Sequence, residues 1–177
     1  MAELTPQERL QPALLDRLTD DEPDKKQEPR EKRLITRQRL RQAVLRDLAW
    51  LFNATRPSDR DGLNEFPFAA RSVLNFGLPS LSGETASTLD VIALEARIRD
   101  AIVAFEPRID PSSLQVEAQV SEVQMDRHNI ISVQIRGNLW AQPVPLELLL
   151  RTEVDLETGS VEIRDLAGGS GFERAVE

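Results

Sequence analysis

Hydrophobic residues recur at helical spacing early in this chain and alternate with polar residues late in it. Leu40, Val44, Leu48 and Leu51 fall on one stripe of "RQRLRQAVLRDLAWLFN", with Ala43 and Trp50 beside it and Arg37, Arg41 and Arg46 around it. That spacing predicts a helix of four to five turns, buried on one side, and Thr36 stands where a capping side chain is needed. A second stripe runs through Val91, Leu94, Ile98, Ile102 and Phe105, after Ser87 and Asp90 in the S-x-x-D pattern that opens a helix. This helix must stop before Pro107, because the residue preceding a proline is pushed out of the α region. Glu106 is therefore expected in extended geometry. Between the two helices, "FAARSVLNF" predicts a short helix with Val73, Leu74 and Phe76 turned inward, and Asp61-Gly62 and Gly77 with Pro79 signal turns.

The period then changes to two. Leu114, Val116, Ala118 and Val120 alternate with polar neighbours, as do Ile131, Val133 and Ile135, then Leu146, Leu148, Leu150 and Val154, then Val161 and Ile163 after a turn at "ETGS". Such alternation marks half-buried strands of an antiparallel sheet with one wet face. Helices first and strands after give an α+β fold. Two main helices are expected on one face of a four-stranded, mainly antiparallel sheet, with an extended N-terminal arm. The core is expected over residues 36–165. Residues 1–35 read as the arm: a short amphipathic stretch with Leu10, Leu14 and Leu18 at helical spacing, then the charged, proline-bearing linker "DDEPDKKQEPREKR". One or two turns of helix do not stand alone in water, so the three leucines must pack on the body or on a partner. Residues 166–177 read as a flexible tail.

Charge narrows the function. The 177 residues carry a formal net charge of −8, which argues against a general nucleic-acid binder. Residues 25–71 nevertheless hold twelve Lys/Arg against six Asp/Glu, a local +6 on an acidic body. That segment can pair within the chain, stay solvated, or meet an acidic partner. There is no cysteine, hence no disulfide framework or thiolate metal site, which fits a reducing compartment. The N-terminus lacks the basic-then-apolar pattern of a signal peptide, and apolar runs such as "LAWLF" fall far short of the roughly 20 residues of a membrane span, so the chain reads as soluble and cytoplasmic.

Candidate chemistry is sparse. A glycosidase needs two carboxyl groups, one kept protonated in an apolar pocket. Glu106 beside Phe105 is the best candidate acid, with Asp110 or Asp100 as its partner, but Arg108 would hold Glu106 ionised, which is wrong for a general acid. His128 is the only histidine, and it sits with Asp126 in "MDRHNI" between strands, where a surface loop is the plain reading; no further metal ligands converge on it. "GGSG" lacks the lysine and following helix of a phosphate loop. Trp50 and Trp140 read as core or interface anchors rather than base-stacking platforms. No cofactor or metal is expected. By elimination the chain is a structural or interaction module.

Several stretches, taken in order, resemble one family: "LQPALLDRLTDDEP" in the arm, "RQRLRQAVLRDLAWLFN", "ARSVLNFGLP", "AFEPRI" and "GNLWAQPVPLELLLRTEVDLETG". The chain resembles the baseplate wedge subunit of type VI secretion systems, TssE, related to the short wedge proteins of contractile phage tails. Phe66 and Phe76 stand where that family often has tyrosine. The resemblance implies a non-enzymatic scaffold in the baseplate, on the cytoplasmic side of a bacterial inner membrane. It implies contacts with other wedge subunits through Glu106, Pro107 and Arg108, and seeding of the contractile sheath through a fold like that of a sheath subunit. Inner-tube proteins are further candidate partners; nucleic acid and membrane insertion are not implied. The family was long labelled lysozyme-like, so a peptidoglycan-cleaving glycosidase is the alternative. On the sequence alone, Glu106 and Arg108 are expected to stand on a stiff extended segment, offered together to a partner, so that their loss spares the melting temperature.

Overall fold

The computed structural model describes residues 13–19, 24, 36–57, 65–81, 90–119, 130–141 and 144–166. In chain order they form α1 (Leu14–Leu18), α2 (Arg37–Asn53), α3 (Pro67–Ala70), a 3-10 turn (Val73–Asn75), α4 (Val91–Phe105) and strands β1 (Gln115–Gln119), β2 (Ile130–Leu139), β3 (Leu146–Asp155) and β4 (Val161–Asp165). The strands pair antiparallel in the order β1-β2-β3-β4, a simple meander. The fold is α+β, with α2 and α4 packed on the sheet.

Thr36 caps α2: its hydroxyl oxygen accepts from the Arg39 N–H at 3.2 Å, a contact of the kind worth about 1 kcal/mol. Leu40, Ala43, Val44, Leu48, Leu51 and Phe52 are buried, and a fully buried Leu, Val or Phe contributes roughly 1.5–3 kcal/mol. Trp50 lies off that stripe and is 53% exposed, so it is not a core residue. Of the S-x-x-D pair expected to open α4, the described member is Asp90. Asp90 is itself the cap, accepting from the Ala93 N–H at 3.1 Å. Its short carboxylate serves as the capping acceptor and the helix begins at Val91; Ser87 lies outside the described residues.

The connector between α2 and α4 also departs from expectation. Only Phe76 turns inward, packing edge-on against Phe105 with centroids 5.3 Å apart, while Val73 and Leu74 are exposed. The reason is local. The helix ends at Ala70, and the Ser72 hydroxyl accepts from the Leu74 N–H to start a tighter turn, so one helical face does not persist across the stretch. Beyond it, Gly77 adopts φ +117°, and a Cβ there would lie 2.3 Å from the Ala54 carbonyl oxygen. Only glycine lets these backbones meet. They are joined by Leu78 N–H to Ala54 O and Arg56 N–H to Leu78 O, both 2.9 Å.

The inward sets of the central strands are buried as the alternation required: Ile131, Val133, Ile135 and Leu139 on β2, and Leu148, Leu150 and Val154 on β3. Thr152 is buried with them, and its hydroxyl donates to the Val133 carbonyl at 3.1 Å, which removes the cost of a bare buried oxygen. Leu114 is buried, and Val116, Ala118 and Ile163 pack against the core from the two outer strands. Val120 lies outside the described residues. Helix side chains cover polar groups on both sheet edges. The Asn53 amide donates to the Val161 carbonyl at 2.9 Å and accepts its N–H at 3.0 Å. On the opposite edge Glu95 accepts the Ala118 N–H at 2.7 Å, and Arg99 donates to the Leu114 carbonyl. Among the described residues no helix is long and apolar enough to cross a membrane.

Candidate partner-docking site

Helix α4 delivers Glu106 as its C-terminal cap, with φ −121° and ψ 77°, outside the α region as Pro107 demands. The segment after it is a turn and not the extended stretch expected, closed by the Ile109 N–H on the Glu106 carbonyl at 3.2 Å. Proline suits that place because its missing N–H leaves nothing unsatisfied and its φ is fixed. The chain then docks on the end of β2. Trp140 N–H donates to the Arg108 carbonyl at 2.7 Å, and Asp110 N–H donates to the Asn138 carbonyl at 2.9 Å. Ile109 is buried between them, opposite Leu139. The Glu-Pro-Arg turn is thus held at both ends by backbone geometry.

Its two charges face each other. Glu106 is only 3% exposed, and both its oxygens accept from Arg108: Oε1 from Nε at 2.6 Å and from the Arg108 backbone N–H at 3.1 Å, Oε2 from Nη2. Arg108 Nη2 also donates to Asp47 of α2. Asp47 Oδ1 in turn accepts from Arg46, through Nε at 2.9 Å and Nη2 at 2.8 Å. Arg46 Nη1 reaches Asp16 of α1 at 2.7 Å, and its guanidinium lies 5.1 Å from the centroid of the Trp50 ring. The result is one string of alternating charges, Glu106, Arg108, Asp47, Arg46 and Asp16, joining the turn, α2 and the arm.

The electrostatics follow from that order. Burial works against the charge of the Arg108 guanidinium, but the hydrogen bond and charge of Glu106, and then those of Asp47, outweigh it and hold its pKa above the ordinary arginine value. Arg46 is raised in the same way, burial opposing and Asp47 and Asp16 prevailing. Two buried atoms in the string have no hydrogen-bond partner, Arg108 Nη1 and Asp16 Oδ2. Two tryptophans are tied to it, Trp50 through Arg46 and Trp140 through the Arg108 carbonyl, and Trp140 is 58% exposed.

The other candidate residues do not form a second centre. Asp110 points into its own turn, accepting from the Ser112 N–H at 2.9 Å and the Ser112 hydroxyl at 2.8 Å; those bonds, the backbone one first, lower its pKa below the usual carboxylate value. Asp100 is exposed on α4. Among the described residues no three metal-ligating side chains come together. Leu14 and Leu18 on α1 are 71% and 74% exposed, so their stripe is not buried on the body. Leu10, Asp126, His128 and the "GGSG" stretch lie outside the described residues. Asp47 and Asp16 were not legible as members of the site. Arg46-Asp47 between apolar positions looks like an ordinary solvated helix face, and nothing local shows that Asp47 meets a residue 61 positions on.

The geometry is therefore a preorganised ion string with exposed aromatics at its rim, and both oxygens of Glu106, the candidate acid, are engaged by an arginine. No curated protein and no solved structure gives a significant match to the chain. A family model described as Baseplate wedge protein gp25 matches residues 38–144, which take in α2, α4, the Glu-Pro-Arg turn, β1 and β2. That span is more than half of the chain, and by it the chain belongs to the baseplate wedge protein gp25 family.

Proposed function

We propose that the chain is the wedge subunit of a type VI secretion baseplate, a non-enzymatic scaffold that binds other wedge subunits at the Glu106-Pro107-Arg108 turn and helps to seed the contractile sheath. Residues 36–165 act as the wedge core, with the arm 1–35 and tail 166–177 at its periphery. The observation that carries this reading is the immobilised Arg108. Its guanidinium is oriented by two carboxylates, and exposed tryptophans are tied to its surroundings. Arginine and tryptophan held in advance in a defined geometry are the residues that dominate interface energies, because little entropy is lost on docking. Glu106 is the positioning residue of the motif, since its own oxygens face Arg108. The same pairing disfavours the hydrolase reading, because both Glu106 oxygens already accept from Arg108 and neither is free to deliver a proton to a leaving group. A soluble protein at the cytoplasmic side of the inner membrane fits this assembly.

The test is co-purification with the neighbouring wedge subunits, alongside a thermal melt. Trp50→Ser with Trp140→Ser removes exposed side chains, so the melt should hardly move. Binding should fall by about 2 kcal/mol or more for each true anchor, roughly thirty-fold. Undiminished co-purification by the folded double variant would move the docking face elsewhere. Cell-wall turnover by the purified protein, lost in a folded Glu106→Gln variant, would restore the hydrolase.

A further inference from the structure

A second concave surface lies between the connector and the C-terminal half of α4, and it uses none of the five residues of the ion string. It is an open groove of about 410 Å³. Ala101, Ala104 and Phe105 of α4 line it on one side, with Asp100 beside them; Arg56 lines it from the segment that enters the connector and Arg71 from the connector itself. Its framework is stiff. Gly77, also in the lining, is where the backbone closes on Ala54, and the two hydrogen bonds at Leu78 pin the Arg56 segment to the connector. The connector itself presents Phe66, Phe68, Val73 and Leu74 to solvent, with Phe68 92% exposed. These four exposed apolar side chains fall within one short stretch of the chain, and exposed apolar patches mark interaction sites.

Charge decides what fits. Among the described residues neither Arg56 nor Arg71 has an ion-pair partner, whereas Arg41, Arg46 and Arg108 are all paired. With Asp100 the groove carries one net positive charge on a chain whose net charge is −8. We propose that this groove is a second docking site, and that its occupant is a short segment of a partner protein in which aromatic and aliphatic side chains are flanked by single carboxylates. The apolar side chains sit on Ala101, Ala104 and Phe105, and the carboxylates meet Arg56 and Arg71 through charge-assisted hydrogen bonds. A long acidic run is disfavoured by Asp100. An anionic membrane is disfavoured by the concave shape and by the net charge of the whole chain.

Three synthetic peptides test this by NMR titration of the isotopically labelled protein. Each is eight residues long with serine and glycine at both ends; the centres are Phe-Leu between two glutamates, Phe-Leu between two lysines, and Gly-Gly between two glutamates. The first should give saturable shifts at the amides of Arg71, Gly77, Ala101 and Ala104. The second and third should bind at least about tenfold more weakly. Arg56→Glu with Arg71→Glu should reverse the preference for glutamate over lysine while leaving the melt unchanged, since neither side chain is paired. Ala104→Arg separates shape from charge, because it adds a cation and fills the groove; it should weaken binding of the first peptide. Stronger binding by Ala104→Arg, equal response to the first two peptides, shifts confined to other surfaces, no shifts, or binding to anionic vesicles in place of the peptide would each overturn the proposal.

Discussion

At Arg108 one guanidinium answers two carboxylates that reach it from different parts of the chain, Glu106 two residues before it and Asp47 on α2. Removing one partner of a buried pair costs about 3–5 kcal/mol, because the other charge is left buried without compensation. Glu106 is the buried member, so Arg108→Ala should destabilise the protein by roughly that amount in chemical denaturation. Arg108→Lys should recover part of it, since a point charge keeps the ion pair and loses the fork. An unchanged denaturation midpoint for Arg108→Ala would mean that Glu106 is not held as described. The burial of Glu106 against Arg108 argues against the expectation that motif variants spare stability, so their binding defects must be read against their melts. In pH terms the folded pKa of Arg108 is raised. Its contribution is complete below the ordinary arginine value and is lost only as pH rises through the still higher folded value, so this group adds no pH dependence near neutrality. The proline stop and the neighbouring opposite charges were legible in the sequence. Asp47 was not, because a pairing made by tertiary packing leaves no local pattern.

At the scale of elements the periodic segments were legible, and the aperiodic ones were not. Helix α2, the body of α4 and the four strands came from spacing, because one buried face imposes its period on the sequence. The connector failed because two short turns share no face, and apolar residues there point outward. Edge protection was also invisible. Asn53 satisfies both backbone groups of Val161 as a neighbouring strand would, and Glu95 takes the Ala118 N–H. Backbone groups alternate in direction along a strand, so the outward ones on β1 belong to Leu114, Val116 and Ala118, whereas Glu117 faces β2. An open edge invites pairing with another chain. Glu95→Ala should therefore free the β1 edge and raise concentration-dependent self-association in sedimentation, with the fold intact by circular dichroism. A Glu95→Ala protein that stays strictly monomeric as its concentration is raised would show that this carboxylate does not guard the edge.

On the scale of the whole molecule, the basic segment 25–71 divides its charge between two uses. Arg41 pairs with Asp165 and Arg46 with Asp16 and Asp47, which ties the segment to β4 and to the arm. Among the described residues, Arg56 and Arg71 have no ion-pair partner and line the proposed groove. The arm follows the same division. Asp16 anchors α1 through Arg46, while Leu14 and Leu18 face outward. Five residues of helix are too few to persist without tertiary contacts, so this anchor, and not helix propensity, places the leucines. Exposed leucines contribute little to the isolated fold, and surface changes usually stay within about 0.5 kcal/mol. Replacing Leu10, Leu14 and Leu18 with serine should therefore leave the thermal transition nearly unmoved and weaken association with a wedge partner. Asp16→Ala should weaken that association too, because the leucines, though unsubstituted, lose the anchor that positions them. A lowered melting temperature in the triple variant would show that the arm packs on the body, and unchanged partner binding in both variants would remove the arm from the interface.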